Sequence, residues 1–369
     1  MEESLFEEIV TIRRDIHQHP ETAFEVERTA GIAADELRGA GIEVRTEVGR
    51  TGVVGDIIVP GAAKRIALRA DMDALPMQEE GNPPYKSTID GKAHMCGHDS
   101  HTAMLIGAAK YLAAQKDQLK NHVRFIFQPS EELHPGGAPG MIADGCLQGV
   151  DEIYALHVWP WLETGVVGIC DGPAMAQADA FDITIKGKGG HAAAPHDADD
   201  PIVAGSYLVT QLQTLVSRHV SPLDSAVVTV TQFHAGSAYN VIPSTAELRG
   251  TVRTYSKQTQ QMIRGKIEKL VAPIGEMTYH EGYPVLINEK TCAGKVAEAA
   301  SNYQVNSPAE KALFGEDFAY YLHHVPGCFI QLGCRNEQKE CIYPLHHPKF
   351  NLDEECMKIG IDLLTKLIS

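Results

Sequence analysis

A thiol and an imidazole one residue apart, with a glycine between them that lets the backbone turn, put two metal-ligand types on one loop at Cys96-Gly97-His98. Glu131-Glu132 adds two adjacent carboxylates, His157 an imidazole between Ile153-Tyr154-Ala155-Leu156 and Val158-Trp159-Pro160, and His346 another near the carboxyl end. Each has an ordinary reading as well. A Cys-x-His pair can be incidental, paired acids can be a solvated surface, and a histidine in an apolar run can be a core residue with one hydrogen bond. Together, however, Cys96, His98, Glu132, His157 and His346 supply the mixed sulfur, nitrogen and oxygen ligands that suit first-row divalent metals.

Such groups need a frame. The spacing of Leu5, Ile9, Ile12 and Ile16 predicts a helix from Ser4 to His17, and a second is expected from Thr29 to Leu37. A strand from Ile66 to Arg69 leads into Asp71-Met72-Asp73. The Cys96 loop precedes a helix from His101 to Gln115. Val123 to Phe127 reads as a buried strand running to Ser130-Glu131-Glu132, and Glu152 to Leu156 as another ending at His157. Strands that end in polar groups and are separated by helices predict a mostly parallel α/β sheet with its site at the strands' carboxyl ends. After about Pro173 the pattern becomes strand (Phe181 to Lys186), helix (Pro201 to Ser217), strand (Ala226 to Phe233), strand (Thr245 to Arg253), helix (Lys257 to Leu270) and strand (Met277 to Tyr283). This β-α-β-β-α-β order predicts a ferredoxin-like domain inserted at 176–285 into a discontinuous catalytic domain of 1–175 and 286–369. The α/β pattern resumes with a strand from Cys328 to Leu332 and a closing helix from Glu354 to Leu367.

A chain of 369 residues, 44% hydrophobic, can bury a large core, and a formal net charge of −16 argues against nucleic acid as a partner. No apolar run is long enough to span a bilayer, and the start, Met1-Glu2-Glu3-Ser4, lacks the basic and apolar character of a signal peptide. Eight scattered cysteines are expected to be reduced thiols in a cytoplasmic protein.

The sequence resembles the M20 metallopeptidase family, and within it the amidohydrolases that include hippurate, N-acyl-amino-acid and auxin-conjugate hydrolases and N-acetyldiaminopimelate deacetylases. The likeness runs along nearly the whole chain. It is carried by Arg14-Asp15-Ile16-His17-Gln18-His19-Pro20-Glu21, Arg69-Ala70-Asp71-Met72-Asp73-Ala74-Leu75-Pro76, His94-Met95-Cys96-Gly97-His98-Asp99, Gln128-Pro129-Ser130-Glu131-Glu132, Gly189-Gly190-His191-Ala192-Ala193, Tyr239-Asn240-Val241-Ile242-Pro243 and Gly315-Glu316-Asp317-Phe318.

The resemblance implies two divalent ions per subunit (zinc, manganese, cobalt or nickel) on Cys96, His98, Glu132, His157 and His346. It implies Glu131 as the general base activating a metal-bound water for attack on the amide of an N-acyl amino acid. Asp73 resembles the acid that orients a ligand, with an exposed loop acid as its ordinary reading. His191 resembles the histidine that steadies the oxyanion, supplied in many relatives by a neighbouring subunit. Asn240 and Arg253 would hold the substrate's carboxylate, although Arg249 shares the strand of Arg253. The inserted domain would serve as lid and homodimer contact. Where relatives more often continue with glycines after the second glutamate, this chain reads Leu133-His134-Pro135-Gly136-Gly137. The alternatives are a dipeptidase or carboxypeptidase of the same fold, and a non-catalytic binder of metal or ligand; Glu131 argues against the last, since a binder has no need of a base.

Overall fold

The computed structural model describes residues 2–368 and divides into two compact units. The larger comprises Met1–Ala174, Ile287–Glu310 and Asp317–Ser369; the smaller comprises Met175–Leu286 and Lys311–Glu316. The short return segment Lys311–Glu316 is the departure from a single insertion. It joins the smaller unit because Ala312 bridges Met175 and the Leu313 carbonyl accepts from Arg253 Nε at 3.1 Å.

The larger unit is built on an eight-stranded sheet. Its centre is parallel, in the order His122–Gln128, Arg65–Asp71, Glu152–Glu163, Gly327–Arg335. These strands are buried along most of their length, as expected when both faces are covered. On one side the sheet continues antiparallel through Gly52–Ile57 to Glu43–Val48; on the other it passes antiparallel to Val166–Gly168 and then parallel to Gln304–Asn306. The sheet is therefore mixed around a parallel core.

The helix His98–Ala114 is buried on nearly all sides, lying between the sheet and the helices Glu3–Gln18 and Glu355–Lys366. Its small residues, Ala103, Gly107, Ala108 and Ala109, permit that close approach: a Cβ on Gly107 would lie 2.8 Å from Ile361 Cδ1. The first turn of this helix is thus fixed from several directions, and that turn carries His98.

One strand runs further than its sequence pattern predicts. Glu152–Glu163 continues six residues beyond His157, so this histidine lies inside the strand and not at its end. The apolar run Val158-Trp159-Pro160 keeps the strand extended and pairs Leu332 with Val158 and Gly333 with Trp159 before the register slips beside Pro160. A proline has no N–H to offer a ladder, which makes the slip natural there.

In the smaller unit four antiparallel strands stand in the order Ala226–Ala235, Thr245–Thr254, Gln177–Lys186, Gly275–His280. Strand Gln177–Lys186 alternates buried and half-buried residues, and its Phe181, Ile183 and Ile185 pack with Leu208 and Leu212 of helix Pro201–Thr214 and with Ile263 and Ile267 of helix Lys257–Val271. Asp200 caps the first helix by accepting from the Ile202 and Val203 N–H groups, and Ser256 caps the second by accepting from Thr259 N–H. This is the ferredoxin-like arrangement.

Candidate active site

Gly97 makes the ligand loop possible. Its φ of 87° is in the left-handed region, and a Cβ there would come within 2.4 Å of Val158 Cγ2. Turning there sends Cys96 and His98 the same way. Cys96 Sγ lies 3.5 Å from His157 Nε2, and the ligand atoms of Cys96, His98 and His157 are all within 4.8 Å of one another. Cys96, Glu132 and His346 form a second set of the same compactness, with His346 Nε2 3.1 Å from Glu132 Oε1. Cys96 belongs to both sets.

The imidazoles are oriented by what their other nitrogens do. His98 Nδ1–H donates to the Asp73 carbonyl at 2.8 Å, and His157 Nδ1–H donates to the Val158 carbonyl at 2.8 Å. Both Nε2 atoms therefore face the cluster; that of His157 presents a lone pair, and that of His98 does so once its proton is displaced. His98 Nε2 is buried without a hydrogen-bond partner, a costly condition that ligation by a cation relieves. A partnerless imidazole nitrogen beside carboxylate, imidazole and thiol groups fits two divalent metal ions.

Asp73 lies beneath the cluster and is buried. Its two carboxylate oxygens accept from the backbone N–H groups of Glu131 (2.9 Å) and Glu132 (3.1 Å), so one side chain fixes the turn that presents both glutamates. Asp73 is not an exposed loop acid. Glu131 is 7% exposed, beside the ligands: its carboxylate forms a third compact set with the His98 imidazole and the Glu132 carboxylate.

Electrostatics in the cluster favour protons where a cation would sit. Burial, with Glu132, Glu131 and Asp71 nearby, pushes the Cys96 thiol well above its ordinary range. Burial also opposes charge on His98, but Asp71, Asp73 and Glu132 outweigh it and lift that imidazole to about 10. At neutral pH both groups carry protons that a metal must displace. Metal uptake at pH 7.5 is therefore expected to release about two protons per chain, and affinity to fall as pH falls. Calorimetry in buffers of different ionisation enthalpy checks this; uptake with no proton release contradicts it.

A network not foreseen as a unit supports the ligands from below. Asp71 Oδ1 accepts from His101 Nδ1–H at 2.6 Å, and His101 Nε2 accepts from the Val158 N–H at 2.9 Å, one residue from His157. Both His101 nitrogens are thereby engaged, so His101 is a support and not a ligand. Arg69 donates to Asp71 (2.8 Å), to Gln128 (3.0 Å) and to Asp317 (2.9 Å). Gln128 and the Ala138 N–H donate to Asp317 as well. On the far side of the ligand helix, Asp99 is held by Arg13 Nε at 2.8 Å and by His17 Nδ1–H at 2.7 Å. Burial disfavours charge on Asp99, yet Arg13 and His17 outweigh it and keep the carboxyl far below the usual range. The family motifs include His17, Arg69, Asp71, Asp99, Gln128 and Asp317 but not Arg13 or His101, and no spacing rule links residues this far apart.

The remaining three site residues lie in the smaller unit. His191 pairs with Val241, Asn240 accepts through its carbonyl from the Ala192 N–H, and both side chains line a cavity of about 810 Å³. His191 Nδ1 accepts from the Ala193 N–H at 3.0 Å, so its proton resides on Nε2 and is available to an oxygen. Arg253 does not line this cavity. Its Nε donates to the Leu313 carbonyl and its Nη1 to the carbonyls of Asp179 and Val252. Arg249, the other candidate, instead faces Asp182 at 3.3 Å.

An α/β sheet that gathers two overlapping sets of thiol, imidazole and carboxylate ligands, with a second buried glutamate beside them, defines a dinuclear metallohydrolase. The chain belongs to peptidase family M20/M25/M40, whose signature matches residues 67–369. It is similar to the N-acetyl-L-cysteine deacetylase of Bacillus subtilis (strain 168), 41% identical over 95% of this chain and 85% of the relative. It is also similar to thermostable carboxypeptidase 2 of Saccharolobus solfataricus, 38% identical over 95% and 92%. Among solved structures, the YxeP protein of Bacillus subtilis, a dinuclear metal-binding peptidase of the M20 family, superposes with a TM-score of 0.87 at 36% identity, covering 100% of this chain and 98% of that one. The protein is thus an amidohydrolase or peptidase for small acyl or amino-acid substrates with a dinuclear metal site. Among the described residues no helix is long and apolar enough to cross a membrane.

Proposed function

We propose that the protein hydrolyses the amide bond of N-acyl amino acids to a carboxylate and a free amino acid. The observation that carries this reading is the division of labour between adjacent carboxylates: Glu132 stands in a ligand set with Cys96 and His346, while Glu131 is buried next to it. Two divalent ions, when held by Cys96, His98, Glu132, His157 and His346, supply Lewis-acid polarisation and lower the pKa of water. Glu131 takes a proton from the attacking water and returns it to the leaving amine. Asp73 holds the Glu131–Glu132 turn so that the base keeps its place. His191, with its proton on Nε2, donates to the tetrahedral oxyanion, and Asn240, on the same cavity, grips the carboxylate of the amino acid. The eight cysteines, none of them joined in a disulfide, suit a reducing cytoplasm.

Relatives named deacetylase and N-acyl-L-amino acid amidohydrolase support the acyl reading, and those named carboxypeptidase support the second, cleavage of peptides at a free carboxyl end. A panel of acetyl, benzoyl and aminoacyl derivatives of one amino acid separates them. Preferred release of the amino acid from the acetyl or benzoyl compound is the expected result; preference for the aminoacyl compound overturns the reading in favour of a peptidase.

A further inference from the structure

The strand that carries His157 also carries the chain's two tryptophans, at Trp159 and Trp161. Residues two apart in a strand face the same way, so His157, Trp159 and Trp161 form one row on one face. The rings bear this out. The Trp159 ring centroid is 6.1 Å from that of His157 at an interplanar angle of 86°, and the Trp161 centroid is 5.1 Å from that of Trp159 at 60°. Burial changes sharply along the row: Trp159 is 7% exposed and Trp161 48%. At about 3.3 Å per residue, Trp161 stands roughly 13 Å along the strand from His157. A second large apolar side chain adjoins the ligands elsewhere, since Leu133, next to Glu132, is 56% exposed.

Neither exposure serves the core. The strand leaves the tightly paired part of the sheet at Pro160, where the register with Gly327–Arg335 slips, and Trp161 is the first exposed residue beyond it. A tryptophan with half its surface in water, stacked edgewise on a buried one that itself touches a metal-ligating imidazole, is an aromatic step leading out of the cluster. Ligand sites are characteristically lined this way, with apolar and aromatic walls beside a few polar groups.

We propose that Trp161, backed by Trp159, receives the acyl group and selects aromatic or long-chain acyl groups over acetyl. This rests on the N-acyl-amino-acid reading above. An acetyl group is too short to leave the ligand cluster along the row. A benzoyl ring or a longer chain meets the indole faces, burying apolar surface of both partners and, for an aromatic acyl group, adding an offset or edge-to-face ring contact. Trp161 is then a specificity-determining residue, with Trp159 as the buried backing that fixes its plane.

The test uses the metal-loaded full-length protein and compares kcat/KM for the benzoyl and acetyl derivatives of the same amino acid in the wild type, Trp161→Ala and Trp161→Phe. The wild type is expected to prefer the benzoyl compound. Trp161→Ala is expected to lose roughly tenfold on it, mostly through KM, with the acetyl compound changed less than about twofold, the size of one aromatic contact; Trp161→Phe keeps most of the preference. An equal loss on both compounds, or none on either, overturns the proposal. Because the two tryptophans are the only ones in the chain, their fluorescence also reads the site without turnover. Saturable quenching by benzoate, weakened in Trp161→Ala, is expected. If neither compound is hydrolysed by the wild type, the deacylase reading fails, and the titration still decides this one: a benzoate response unchanged by Trp161→Ala, or absent, overturns it.

Discussion

Glu131→Gln is expected to lower turnover of an N-acyl amino acid by about 10³-fold while leaving metal content unchanged, a loss within the range that a positioned acid–base group contributes. The substitution keeps the side chain's volume and hydrogen-bonding outline but removes its ability to accept a proton from water. It also leaves the turn intact, because Asp73 holds that turn through the backbone N–H groups of residues 131 and 132 and not through the Glu131 side chain. Glu132→Gln differs in kind: it removes charge from a carboxylate that stands with Cys96 and His346 in a ligand set, so metal content should fall with turnover. Metal analysis and initial rates on the two variants distinguish the roles. Loss of metal from Glu131→Gln, or rates near wild type, would contradict the division of labour.

Arg69→Met carries the largest expected effect on folding. Arg69 is 2% exposed and is the cation shared by Asp71 and Asp317, both fully buried. Burial raises the Asp317 carboxyl, and even with Arg69 and Gln128 opposing that rise it stands at about 6. Without the guanidinium Asp317 loses its principal counter-charge and Asp71 loses one that acts beside His98 and His101, and the cost of breaking such a pair by removing one partner is about 3–5 kcal/mol. Urea unfolding of metal-stripped wild type and variant measures it. A difference below about 1 kcal/mol would show that water or proton uptake compensates and that the network is dispensable. A conservative Arg69→Lys change should recover only part, since one ammonium cannot reproduce the contacts that a guanidinium makes to Asp71, Gln128 and Asp317.

How far the sequence discloses this site depends on the distance over which its parts are linked. Cys96-Gly97-His98 and Glu131-Glu132 are local, and their chemistry is visible in a few consecutive letters. Helices such as Glu3–Gln18 and Glu355–Lys366 announce themselves by a strong apolar period. By contrast, Arg69 and Asp317 are separated by 248 positions and meet only because the fold brings the central strand Arg65–Asp71 against the start of the helix Phe318–Leu322. Nothing in the letters around either one distinguishes a buried bridge from a solvated charge. The edge strand Glu43–Val48 and its neighbour Gly52–Ile57 are not legible for a related reason: the first exposes most of its length and the second is buried almost throughout, so neither shows the alternation of a half-buried strand. Three-residue strands such as Val166–Gly168 are too short to carry any period.

The position of His157 is the instructive error. Its apolar left flank reads as a strand and its own polarity as the end of one, whereas the strand runs on through Trp159 and Trp161. Polarity marks a strand's end only when the polar group needs water; a histidine whose Nδ1 proton is taken by the Val158 carbonyl and whose Nε2 faces other ligands does not. The carboxylate grip shows the converse. Asn240 reads as a turn residue and lies on the cavity with His191, whereas the strand residue Arg253 has two of its nitrogens committed to backbone carbonyls.

The measurement that tests the central claim most directly is metal stoichiometry against hydrolysis: metal-stripped protein is reloaded with zinc, manganese, cobalt or nickel, bound metal is counted, and release of free amino acid from an N-acyl amino acid is followed on the same samples. Two ions per chain, with hydrolysis that appears on loading and vanishes with chelator, is the expected result. Full hydrolysis by the stripped protein, or failure of the chain to retain metal at all, would contradict it.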